Sequence, residues 1–112
     1  MDDRYALILA RHDVLTSTRF RAVAAIIEGL GIPDLEFGVW AGLPSFFAGA
    51  RCVRVIPFKD HLNVESENVV AHAEDFVGCR MTPKGMLQID HDAPLPADAL
   101  NRLFAESLGV KR

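Results

Sequence analysis

Residues 35–65 read LEFGVWAGLPSFFAGARCVRVIPFKDHLNVE, and the period of this stretch decides the fold. Leu35, Phe37, Val39 and Ala41 alternate with Glu36, Gly38 and Trp40, the period of two that turns successive side chains to opposite faces of a strand. Residues 45–48, Gly49 and residues 51–58 predict a hairpin turning at the glycine, and residues 61–65 predict a further strand. Links this short make the central strands antiparallel.

Working outward, the period changes on both sides. Residues 4–11 hold Tyr5, Leu7, Ile8 and Leu9, which suits a short helix and also a strand. Ser17 or Thr18 is the expected cap of a helix with the apolar stripe Phe20, Val23, Ile27, Leu30, and with Arg19, Arg21 and Glu28 on its surface. Gly29, Gly31 and Pro33 end it. After the strands, Ser66 is the expected cap of an inserted helix running to about Gly78, with Val69, Val70, Ala73, Phe76 and Val77 inward. Thr82-Pro83-Lys84-Gly85 suits a type I turn, and residues 86–90 form a last strand with Leu87 and Ile89 on one face. Pro96 opens a final helix carrying Leu100, Leu103, Phe104 and Leu108, stopped by Gly109. The expected fold is therefore α+β, with N-terminal helices, a mostly antiparallel sheet of about five strands, one inserted helix and a C-terminal helix. Periodicity leaves the placing of the last strand in the sheet open.

Composition limits the function classes. A chain of 112 residues, half apolar, is read as one domain over 1–112, with disorder expected only at residues 1–3 and 111–112. The net charge is −3, and the second half is the acidic one, with Asp60, Glu65, Glu67, Glu74, Asp75, Asp90, Asp92 and Asp98. Nucleic-acid binding needs a basic face to meet phosphates, and no such face is expected here. The longest apolar run, residues 22–27, is too short for a membrane span. With no signal peptide and only Cys52 and Cys79, the expected compartment is the cytoplasm, with both thiols free and buried.

Three patches share one resemblance. They are Trp40-x-Gly42-x-Pro44-x-Phe46, then Pro57-Phe58-Lys59-x-His61-x-Asn63-Val64, then Thr82-x-Lys84-Gly85-x-Leu87-Gln88-Ile89 with Pro94-Leu95-Pro96 behind it. In order and spacing, across roughly residues 35–108, the chain resembles the YdhG-like family of small bacterial proteins of largely unknown function. The resemblance implies a frataxin-like α+β fold, and through a relative assigned as an iron chaperone it also implies iron binding as an alternative function.

The candidate ligand site is drawn from the polar members of these patches. Lys59, His61 and Lys84 beside Trp40 would suit a small anion, a carboxylate or a phosphate, if the 58–61 connection and the 82–85 turn lie close together. The plainer reading makes Lys84 a solvated turn residue, Lys59 a strand-end charge and Trp40 part of the core. For the iron alternative, the oxygen and imidazole ligands on offer are Glu65, Glu67, His72, Asp75, Asp90 and Asp92. Alternation on a strand keeps His91 from joining Asp90 and Asp92, and His12 and His91 are expected on the surface. No nucleophile elbow, zinc-protease helix, phosphate loop or dinucleotide fingerprint is present, so the chain carries no mark of an enzyme and no cofactor is expected outside the iron alternative. Cys79, beside Arg80, is the better candidate for a reactive thiol, because a neighbouring cation lowers a thiol pKa. The sequence thus reads as a small binding or accessory domain, monomeric or a homodimer joined through strand edges, whose partner is a small molecule or a protein.

Overall fold

Alternation along the strands turns one face of the sheet toward the helices. The computed structural model describes residues 3–110. In chain order these form α1 (Ala6–Leu9), α2 (Val14–Glu28), β1 (Glu36–Trp40), β2 (Leu43–Ala48), β3 (Arg51–Pro57), β4 (His61–Glu65), a 3₁₀ helix (Val70–Phe76), β5 (Arg80–Met81), β6 (Leu87–Asp90) and α3 (Ala97–Ser107). The strands make one six-stranded sheet in the order β1-β2-β3-β4-β6-β5, and every neighbouring pair is antiparallel. Phe46, Val53, Val55, Leu62, Val64, Leu87 and Ile89 point from it into the core, where they meet Phe20, Val23 and Ile27 of α2 and Leu100, Leu103 and Phe104 of α3. Burying each of these larger side chains contributes about 1.5–3 kcal/mol. An aromatic group ties the N-terminus in: Tyr5 stands edge-on to Phe20 at 5.5 Å and to Phe37 at 4.9 Å, and its hydroxyl donates to the Glu28 carboxylate. Burial and the Glu28 charge together push the Tyr5 hydroxyl pKa up.

Several expectations need correction. The sheet has six strands because Arg80–Met81 pairs with β6, where the sequence shows only the approach to a turn. The last long strand lies between β4 and β5, antiparallel to both. The second helix begins earlier than Ser17, because Asp13 caps it and accepts from the Thr16 backbone N–H at 2.8 Å. The inserted helix is a short 3₁₀ segment: Val69 and Phe76 are buried, but Val70 and Val77 are exposed. Ser66 does not cap it: the residue before its first turn is Val69, with no side-chain cap, and the Ser66 hydroxyl instead donates to Asn68 Oδ1 and accepts from Ser107. Trp40 is 63% exposed, so the plainer reading of it as core is corrected, because β1 is the outer strand of the sheet. Asp3, expected to be disordered, forms a bidentate pair with Arg21 at 2.9 and 2.7 Å. The remainder of that expectation, at residues 1, 2, 111 and 112, lies outside the described residues.

The turns follow local chemistry. The β1–β2 link is the two-residue turn Ala41-Gly42, both at positive φ (53° and 80°), the geometry whose twist matches paired strands. The Thr82–Gly85 turn closes as expected, with the Gly85 N–H donating to the Thr82 carbonyl at 2.9 Å.

Candidate functional site

Three elements that are distant in sequence converge on the 58–61 connection. The α2 N-terminus contributes Thr16, which is fully buried, and the end of β6 contributes His91, which is 6% exposed. His91 Nε2 lies 2.9 Å from the Phe58 carbonyl, an acceptor, so Nε2 carries the proton and donates. Thr16 Oγ1 lies 3.2 Å from the Lys59 carbonyl and 3.2 Å from His91 Nε2. The His91 backbone N–H donates to the Asp60 carbonyl at 2.9 Å. Arg19 adds a clamp from α2, donating to the carbonyls of Asp90 (3.1 Å) and Ala93 (2.8 Å). The placing of His91 and Arg19 on the surface is therefore corrected: both side chains reach inward to backbone carbonyls, those of Phe58 for His91 and of Asp90 and Ala93 for Arg19.

This scaffold holds Lys59 between two grooves. The first, of about 410 Å³, is lined by Leu15, Lys59, Asp60, His61, Arg80, Gln88, Asp90, His91 and Asp92. The second, of about 420 Å³, is lined by Arg11, His12, Asp13, Thr16 and Lys59. His61 is stacked on Phe58 with ring centroids 4.6 Å apart, and its Nδ1 lies 3.3 Å from Asp60 Oδ1. The first groove is mixed in charge, with Arg80 Nε 4.0 Å from Asp90 Oδ2. The second is cationic. Its one carboxylate, Asp13, is occupied as the α2 cap, and that hydrogen bond from Thr16 holds its pKa below the ordinary value.

The four residues expected to share a site do not come together. Lys59 and His61 sit at one end of β4. Because β6 runs antiparallel to β4, with His61 opposite Asp90 and Val64 opposite Leu87, the turn that feeds β6 lies at the other end. Lys84 accordingly lines a separate groove with Cys52, Arg54, Glu65, Ser66 and Glu67. Trp40 lies on the outer strand, with β2 and β3 between it and β4. Arg11 and His12 were missed. Their signal was an arginine and a histidine directly before a helix cap at Asp13, obscured by placing the cap at Ser17 or Thr18.

The alternative metal ligands fall in three places. Glu65 is paired with Arg54, and Glu67 lies near it in the Lys84 groove. His72 lies against Asp75 and Glu106, while Asp90 and Asp92 line the first Lys59 groove. Among the described residues no group of three or more His, Cys, Asp or Glu is placed to hold a metal ion. Cys79 is corrected as well. Burial, with the Asp90 charge second, pushes its thiol up rather than down, and Arg80 reaches toward Asp90 instead. Burial likewise raises the Cys52 thiol, and both thiols are free and half-buried.

Compared with known proteins, the chain matches no family model, no curated protein and no solved structure. Among the described residues no helix is long and apolar enough to cross a membrane.

Proposed function

We propose that this chain is a small binding domain for an anionic ligand, a carboxylate or a phosphate, held at Lys59 with Arg11 and His12. One observation carries this reading. Lys59 and Arg11 border a groove whose only carboxylate is already engaged, and neither side chain has a hydrogen-bond or ion-pair partner among the described residues. Charge-assisted hydrogen bonds to an anion are the strongest contacts such side chains make. The Thr16–His91 network supports the reading because it fixes the backbone that carries Lys59, so little ordering is required on binding. His61, at the mouth of the neighbouring groove, is placed to meet a ligand that extends past Lys59. The sequence resemblance to the YdhG-like family, two of whose patches supply Lys59 and His61, supports the same region; the iron alternative has no comparable convergence of ligands.

The test is an amide NMR titration with phosphate, sulfate and small mono- and dicarboxylates. Binding should shift residues 11–16 and 58–61, and Lys59→Ala should weaken it about tenfold or more, the value of one charge-assisted hydrogen bond. Lys84→Ala should leave affinity unchanged. If no anion shifts those amides, or if Lys84→Ala weakens binding as much as Lys59→Ala does, the reading fails.

A further inference from the structure

The two margins of the sheet differ in what they offer to another strand. At one margin β5 is two residues long, carries Arg80 and is followed closely by Pro83, so it is short and charged, as protected edges are. At the other, β1 pairs with β2 without a bulge over five residues, Glu36–Trp40, and contains neither lysine nor proline. In a hairpin closed by a two-residue turn, the pair flanking the turn is hydrogen-bonded, and bonded pairs recur at every second position. Glu36, Gly38 and Trp40 therefore bond to β2, and the backbone N–H and C=O groups of Phe37 and Val39 face outward. No described residue meets them.

We propose that β1 is an interface between two copies of this chain, paired antiparallel about Gly38 to continue the sheet across a twofold axis. The strand is self-complementary in that register. Phe37 lies opposite the partner's Val39, and the outward groups of the two residues form reciprocal hydrogen bonds on both sides of the axis. Gly38 meets the partner's Gly38, so no side chain crowds the axis. On the helix-packed face, the half-exposed Val39 gains an apolar neighbour in the partner's Phe37. Glu36, the only charge in the strand, lies opposite the partner's Trp40 and not opposite another carboxylate. Pairing of β1 with a partner's β5 would leave edges unmatched in length and would build open chains, so the isologous pair is the arrangement that closes. Five residues a side bury less than a standard interface, and the expected dissociation constant is therefore weak, on the order of 10–100 µM.

The test combines sedimentation velocity of the full chain, from about 10 µM to about 1 mM, with hydrogen exchange at both extremes of that range. A dimer should form as concentration rises, and the Phe37 and Val39 amides should gain protection while that of Gly38, already bonded to β2, changes little. Val39→Lys alters an exposed side chain, should leave the melting temperature unchanged, and should weaken the dimer at least about tenfold. Val39→Thr, which keeps a β-branched residue there, should dimerise. A monomer throughout, assembly that grows past two copies, or a dimer that forms without protecting Phe37 and Val39 overturns the proposal.

Discussion

The two ends of β4 are built from the same kinds of residue and are held in different ways. At the His61 end, the 58–61 connection is pinned by buried groups from α2 and β6, Thr16 and His91, and two grooves open beside it. At the Glu65 end, polar side chains pair with one another. Arg54 pairs with Glu65, the Ser66 and Ser107 hydroxyls converge on Asn68, and His72 lies between Glu106 and Asp75. The difference teaches where a ligand can be received. At the His61 end the buried side chains bond to backbone and to each other and leave Lys59 and Arg11 without a partner among the described residues, whereas at the Glu65 end most of the charged side chains are already paired.

The sharpest way to break this comparison is to remove the pin. His91→Ala deletes the donor to the Phe58 carbonyl and leaves a cavity in a nine-tenths buried position, so it should cost roughly 2–4 kcal/mol in denaturant unfolding. It should also weaken anion binding at Lys59, although His91 itself is not a proposed ligand contact. At the other end, Ser107→Ala removes one member of the Ser66–Asn68–Ser107 cluster. It should cost about 1 kcal/mol and leave anion binding unchanged. Equal effects of the two substitutions on binding would erase the distinction between the ends.

A smaller effect is expected from pH. Glu106 and then Asp75 raise the His72 pKa above its ordinary value of 6.5, and His72 lowers that of Glu106 below its ordinary 4.5. A raised histidine contributes stability that is complete below its unfolded pKa and is lost as pH rises through the folded one. A lowered carboxylate contributes stability that is complete above its unfolded pKa and is lost as pH falls through the folded one. The pair should therefore stabilise most between about pH 4.5 and 6.5. Thermal melts of the native chain and Glu106→Gln should differ most in that window and converge above it, with a modest gap because Glu106 is exposed to solvent. The smallest change expected is at the β1–β2 turn. Ala41 holds a φ of 53°, which asparagine tolerates better, so Ala41→Asn should stabilise the hairpin by about 0.5 kcal/mol in chemical denaturation.

Much of the fold was legible because it rests on local patterns. The 3.6-residue stripe of Phe20, Val23 and Ile27, the alternation of Leu87 and Ile89, the glycine turn at Gly49 and the stop at Gly109 all appear where the chain predicts them. What escaped was set by distant partners. Arg80–Met81 is a strand only because β6 lies beside it, and in place of a 66–78 helix capped by Ser66 there is a short 3₁₀ segment, with the Ser66 hydroxyl engaged by Ser107 of α3. Of the candidate site, Lys59 and His61 stay together because they share one short connection. Lys84 is parted from them by strand direction, which motif spacing cannot report.

By itself the sequence determined the long helices, the antiparallel hairpins of the central strands and most of the side chains that enter the core, because each depends on neighbours within a few residues or on hydrophobic periodicity. Only the tertiary structure decided that β6 runs beside β4 in the opposite sense, that β1 is left as an open margin and that His91 is buried. The physical reason is that pairing between distant segments is chosen by the packing of the whole sheet against α2 and α3. That packing brings Arg11 and His12 to Lys59 and carries Lys84 to the opposite end.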